Sequence, residues 1–298
     1  MFNTLKIKTP AKLLSALLLV GMTVLSTTGC GSRTAPAAFA GNQAFMASAP
    51  LQAQRANAAR PGFMSFSTVP TGEPDGYYAA AQGQTGQGLI SSLNGIVARH
   101  KDLGYSTGRD VMFGTVDDLD NDDVVEGVYT GRRLDKVNNR GTAYRNGEGL
   151  NAEHTWPKSK GAGGGPAKSD LHHLFPTDIR ANSARSSFPF GVVRGVDKTF
   201  GGSKLGSDER GRTVFEPRDE HKGNVARALF YFYTVYGRNG ISTSNFRVEE
   251  PVLLQWHKQD PVDAAEIARN NAIYQAQGNR NPYIDHPEFV DAVGRFLN

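Results

Sequence analysis

The sequence predicts an α+β fold. Three observations carry this: an amphipathic helical stretch at Leu89 to His100, short strand-like segments in the middle of the chain, and a helical C-terminal third. The chain has 298 residues, 39% hydrophobic content and one cysteine, which suits a single domain with appendages. A disordered protein, a collagen-like repeat and a disulfide scaffold are excluded.

The first appendage is an export signal at residues 1–29. Lys6, Lys8 and Lys12 stand without an acid, and Leu13 through Leu25 is almost entirely apolar. That run falls short of the roughly 20 residues that span a bilayer. It closes on Thr27-Thr28-Gly29-Cys30, which resembles the lipobox of bacterial lipoproteins, with Thr27 where that motif has Leu, Val or Ile. Lipidation at Cys30 and anchoring to the cell envelope are expected; ordinary cleavage and free secretion is the alternative. The formal charge of +4 falls with the signal, because the rest of the chain carries 30 basic against 29 acidic side chains. Global basicity is therefore a targeting feature and no argument for nucleic acid. Residues 30–72 are rich in Ala, Gly, Ser, Pro, Gln and Asn, bury too little apolar surface to offset ordering, and read as a flexible linker.

The folded domain is expected over residues 73–298. Leu89, Leu93, Ile96 and Val97 fall on one helical face. Asp117 to Asp123 has the alternating acids of an EF-hand start, but Asp123 replaces the glycine at position 6 and Tyr129 the glutamate at position 12, so a solvated turn is expected. A strand should follow at Val124 to Thr130. Helices are predicted at Val225 to Tyr236, Val252 to His257 and Asp263 to Gln277, the last closed by Gly278. The aromatic run Phe230 to Tyr233 faces all sides of its helix and reads as core.

Chemistry concentrates between Glu148 and Gly191. Glu153-His154 precedes Trp156-Pro157-Lys158; a glycine loop leads to Ser169-Asp170-Leu171-His172-His173; Asn182 and Arg185 come after. Glu153 and Asn182 supply hard oxygens suited to Mg²⁺, and a neutral His154 can activate water. Neighbours on a strand face opposite ways, so Glu153 and His154 share a site only at a strand end or bend. From Gly131 to Glu216 there are fifteen Lys or Arg against nine acids. This local excess of +6 suits a polyanionic substrate.

The segments Asn151-Ala-Glu153-His154-Thr-Trp156-Pro157, Ser169-Asp170-Leu-His172-His173-Leu-Phe-Pro176, Asn182-Ser-Ala-Arg185 and Gln277 to Pro287 resemble the endonuclease I family of secreted bacterial nucleases. The likeness runs from about Tyr77 to the C-terminus. It implies a ββα-metal (His-Me finger) core flanked by helices, cleaving DNA, with RNA an open second substrate, with little sequence specificity, to 5′-phosphate and 3′-hydroxyl ends. By the same resemblance His154 is the general base, Glu153 and Asn182 hold one Mg²⁺ for which Mn²⁺ or Ca²⁺ can substitute, and Arg185 contacts the phosphate. A second cation on the phosphate comes from Lys158, Lys160 or Lys168, which the sequence does not separate. Asp170, His172 and His173 are supporting residues, one histidine bonding Asp170 or a backbone carbonyl. His286 belongs to a packing segment, and His100, His221 and His257 read as surface or helix-end residues. The expected partner is nucleic acid, the membrane enters only through Cys30, and a monomer is expected. Two rival readings are a catalytically inactive nucleic-acid-binding lipoprotein, and a zinc hydrolase recruiting His154, His172 and His173, for which no HExxH spacing is present.

Overall fold

The structure is a computed structural model, and it describes residues 72–297. The signal, Cys30 and the linker up to residue 71 lie outside the described residues. Helix α1 (Gly86–Val97) buries Leu89, Ile90, Leu93 and Val97, the face that the spacing predicts. Helix α2 (Tyr105–Val111) runs into a π-helical turn at Met112–Val116, which buries Met112, Phe113 and Val116.

The acidic stretch after it is less solvated than expected. Asp117 is bonded by Arg269 at 2.8 Å, and Asp118 is buried with its carboxylate accepting the backbone N–H groups of Asp122 and Asp123. The strand expected at Val124 to Thr130 is correspondingly short. Only β1 (Val125–Glu126) pairs, antiparallel, with β2 (Arg133–Leu134). The break comes at Gly127, where a Cβ would lie 2.9 Å from Leu150 and 3.3 Å from the Asp178 amide nitrogen. The backbone there packs directly on the next hairpin, and the following turn sends Tyr129 into the interior.

Helix α3 (Arg140–Tyr144) opens with a reciprocal cap between Asn139 and Thr142. Gly149 then lets the chain pass against the Ala143 carbonyl, with which any Cβ would collide. That close passage leads into β3 (Leu150–His154), paired antiparallel with β4 (Leu174–Asp178) in a register from Leu150 opposite Asp178 to His154 opposite Leu174. Helix α4 (Ile179–Arg185) follows at once, its first turn capped by Asp178 and its end marked by Ser186 at φ 52°. A two-stranded hairpin is marginal alone. This one lies between two apolar clusters, Trp156 and Ala181 joining the first and Leu150, Leu171 and Leu174 the second. Each such large side chain contributes about 1.5–3 kcal/mol on burial, enough in sum to hold the hairpin.

A meander of β5 (Gly195–Phe200), β6 (Ser203–Ser207) and β7 (Thr213–Glu216) comes next. Helix α5 (Lys222–Tyr236) forms the centre of the first cluster, as its aromatic run predicts: Phe232 stacks on Trp156 at 4.9 Å and Phe230 on Phe296 at 4.4 Å. Helix α6 (Ser244–Gln259) starts eight residues before the predicted Val252, because Pro251 lies inside it rather than ahead of it. Pro251 is exposed, so the carbonyl it leaves unbonded one turn earlier can be met by water. Helix α7 (Ala264–Gln277) is capped by Asp263 and ends on left-handed Gly278, as predicted; α8 (Pro282–Asp285) and α9 (Glu288–Val293) complete the chain. Among the described residues no helix is long and apolar enough to cross a membrane.

Candidate active site

Strand β3 ends at His154, so Glu153 and His154 stand at the strand end that their joint use requires. Their side chains leave it on different sides. Glu153 is 1% exposed, and its Oε1 takes the Tyr129 hydroxyl at 2.9 Å and the Arg185 Nη1 at 3.0 Å. Burial pushes its carboxyl up from the usual range, opposed by Arg185, the Tyr129 bond and Lys158. The His154 ring packs against Tyr105 and His173, each 5.5 Å away between centroids.

The protonation of His154 follows from its one hydrogen bond. Nε2 lies 3.1 Å from the Lys168 carbonyl oxygen, which can only accept, so Nε2 carries the proton and Nδ1 the lone pair. Burial, with His173 adding to it, pushes the imidazole down to about 2 despite that carbonyl. It is neutral across the physiological range, so Nδ1 carries no proton.

Asn182 is oriented in the same way. Its Nδ2 donates to Asn151 Oδ1 at 2.8 Å and to the Ala152 carbonyl at 3.2 Å, leaving Oδ1 unbonded. Glu153 Oε2 is likewise left over. Two hard oxygens without a protein partner have the chemistry of Mg²⁺ ligands. Among the described residues no three His, Asp or Glu side chains gather as zinc ligands would.

The cations sort themselves. Arg185 is 1% exposed, donates to the carbonyls of His154 (3.1 Å) and Thr155 (2.8 Å), pairs with Glu153 and lies 4.5 Å over the Phe190 ring. Arg185 is thus engaged by the strand end and Glu153 rather than turned out towards a phosphate, with its Nε left without a partner among the described residues. Lys160 is turned towards α6, its ammonium on Ser244 at 3.2 Å. Lys158 is exposed and its charge acts on both Glu153 and His154. Lys168 sits with its ammonium 4.8 Å over the Tyr105 ring while its carbonyl holds the base. Lys158 and Lys168 therefore flank the site and Lys160 does not.

Asp170 is the centre of a buried network. It accepts from Tyr231 (2.8 Å), Tyr236 (2.9 Å), Gln277 (2.9 Å) and the His172 amide (3.1 Å), with His100 Nε2 at 3.4 Å. Burial alone would raise its carboxyl, but His100, His172, His173 and the Gln277 bond outweigh it and hold the group at about 2. His172 and His173 both bond carbonyls, of Asn279 and Ala167, and brace the loop rather than face substrate. Of the histidines expected at the surface or at helix ends, His221 caps α5 and His257 lies in the last turn of α6, and all three side chains are inside: that of His100 is 2% exposed, and His221 and His257 are buried, His221 pushed down to about 3 by burial and neighbouring arginines. His100 is beside Asp170, His221 beside Phe175 and His257 beside Arg227 and the Pro287 carbonyl, partners that local sequence does not mark. His286 stacks on Phe289 in the packing segment expected of it.

Three residues at the site escaped sequence reasoning. Tyr129 stands in the sequence only as an EF-hand position, Tyr105 lies on an unpredicted helix, and Asn151 belongs to a motif that gives it no task. Alternation along β3 places Asn151 and Glu153 on one face, the single signal that could have linked Asn151 to the site.

The profile of the family described as Endonuclease I matches residues 85–288. An extracellular ribonuclease of Bacillus subtilis (strain 168) is 36% identical over 246 residues, covering 77% of this chain and 82% of that protein. An extracellular ribonuclease of Bacillus amyloliquefaciens is 36% identical over 249 residues, covering 78% of this chain and 83% of its own. An extracellular deoxyribonuclease of Aeromonas hydrophila is 31% identical over 118 residues, which is 40% of this chain and 50% of that protein. With His154, Glu153, Asn182, Lys158 and Lys168 all inside the matched span, the chain belongs to the Endonuclease I family.

Proposed function

We propose that this protein is an exported endonuclease that hydrolyses phosphodiester bonds of DNA and RNA with little sequence specificity, leaving 5′-phosphate and 3′-hydroxyl ends. The observation that carries the reading is the fixed tautomer of His154, with Nε2–H on the Lys168 carbonyl and a free lone pair on Nδ1. Nδ1 takes a proton from water as the water oxygen bonds to phosphorus, the bond to the 3′-oxygen breaks on the opposite side, the departing 3′-oxide takes a proton from solvent, and the imidazolium returns its own to bulk water. The Lys168 carbonyl steadies the imidazolium that forms. Lys158 and Lys168 draw the phosphate in, and Arg185 positions Glu153. A single Mg²⁺ held by Glu153 and Asn182, replaceable by Mn²⁺ or Ca²⁺, supplies charge neutralisation at the leaving oxygen. In this reading β3, β4 and α4 are the ββα-metal core.

Groups that address the backbone carry no base code, and the similar proteins' names include both ribonuclease and deoxyribonuclease. Export by the N-terminal signal, anchoring through a lipidated Cys30 and action as a monomer belong to the same proposal. The test is digestion of supercoiled plasmid and of RNA by wild type with Mg²⁺, by wild type with EDTA, and by His154→Ala. Cleavage of both substrates only in the first arm is expected, with at least a hundredfold loss in the variant. Undiminished cleavage by His154→Ala would remove the base from the mechanism.

A further inference from the structure

We propose that a cleft between the β5–β7 sheet and α6 is an accessory site for a single strand of nucleic acid running out of the active site. The inference rests on the nuclease reading and extends it to a second contact region. The cleft has a volume of about 520 Å³, and four arginines line it, Arg194, Arg210, Arg212 and Arg247, against two acids, Asp208 and Glu209.

These charges are not equally available. Arg212 closes on Asp208 through Nε at 2.7 Å and Nη2 at 2.6 Å, so that pair is satisfied internally. Arg210 and Glu209 stand 4.0 Å apart with both side chains more than 70% exposed, a pairing of little strength. Arg194 and Arg247 are exposed, and neither guanidinium has a hydrogen bond or ion pair among the described residues. A guanidinium is weakly hydrated, and its planar fork matches a phosphate. Between the arginines the wall is apolar, formed by Val192, Val214, Pro251 and Val252. Free arginines over an apolar wall suit a ligand with phosphates and flat, weakly polar rings.

The cleft is linked to the catalytic strand through buried side chains. Phe190 lines it and also carries the Arg185 guanidinium at 4.5 Å, and Arg185 grips the carbonyls of His154 and Thr155. The chain between Arg185 and Phe190 presents Phe188, a large apolar side chain left 38% exposed. An exposed ring two residues along the chain from groove-lining Phe190 is a stacking surface for an unpaired base, which favours a single strand over a duplex. Part of the excess charge read in the sequence thus lies here, away from Glu153 and His154.

The test uses a fluorescein-labelled 16-nucleotide single strand, its binding followed by anisotropy in EDTA, and cleavage of a 30-mer and a trinucleotide with Mg²⁺. In Arg194→Ala/Arg247→Ala, Kd for the 16-mer should rise about tenfold and the slope of log K against log salt should fall by about 1.4, two phosphate contacts' worth. Phe188→Ala should weaken binding about fivefold or more. The ratio of kcat/KM on the 30-mer to that on the trinucleotide should fall in both variants, and Arg99→Ala, outside the cleft, should match wild type. Unchanged binding and an unchanged ratio in the double variant would overturn the proposal, as would equal losses on both lengths. Wild type that cuts neither substrate would sink the nuclease reading alone, because the binding arm needs no cleavage.

Discussion

Arg185→Met separates two meanings of one charge. If Arg185 touched phosphate, its loss would raise KM and leave stability alone. The structure instead encloses it with Glu153, both side chains at most 2% exposed, and adds two strand-end carbonyls as acceptors. Removing one partner of a buried pair leaves an uncompensated charge, which costs about 3–5 kcal/mol. For a domain of this size that lowers Tm by roughly 10 °C. Urea denaturation at pH 7 should therefore show a reduced midpoint at unchanged m. Adding Glu153→Gln should recover most of the loss, since the orphaned carboxylate is then gone, and the remainder measures the unpaired carbonyls of His154 and Thr155. Without Arg185 the Glu153 carboxyl, already raised by burial, rises further. Its protonated form is then favoured in the folded state, so the variant's deficit is full above the folded pKa and shrinks as pH falls towards the unfolded value. A variant within 1 kcal/mol of wild type, or a double variant no more stable than the single, would refute the reasoning.

Two further outcomes follow from the same geometry. Tyr129→Phe deletes the hydroxyl on Glu153 Oε1 and should cost about 1.5–3 kcal/mol by urea denaturation, the range for a hydrogen bond to a charged group; a loss under 0.5 would show that the bond is not formed. Asp170 is held at about 2, below its ordinary 3.8, so it contributes stability that is complete above about pH 4 and is lost as pH falls towards 2. The contribution is about 2 kcal/mol, and Asp170→Asn should remove that acid limb from a stability profile between pH 6 and 2; an unchanged slope would place the acid sensitivity elsewhere.

The parts of this site that were legible were those written in local sequence. Glu153-His154 before Trp156-Pro157 gave the strand end, and the aromatic run of α5 gave the core. The Asp263 cap and Gly278 bounded α7. What was hidden depends on partners far apart. His100 reads as a helix-end residue until Asp170 is brought beside it, and Tyr129 has no local mark of its bond to Glu153. The position of Arg185, one turn after Asn182, was read correctly as a helix. Which face of α4 meets β3, and therefore whether Arg185 looks outward or inward, is decided by packing against Phe190. The early start of α6 was likewise unmarked, since the exposure of Pro251 inside it makes the missing N–H tolerable.

The Asp170 network fixes the order in which the site can be completed. Gln277 reaches Asp170 across 107 positions, and Asn279 bonds Tyr231 and the Val97 carbonyl. Every proposed catalytic side chain has been synthesised by Arg185, yet the loop whose carbonyl holds the His154 tautomer is pinned by residues some ninety positions later. Closing so long a loop is a late and costly step in ordering the chain. An incomplete chain therefore possesses the reactive groups without the frame that aligns them, and the last turn of α7 acts as the keystone of the hydrolytic centre.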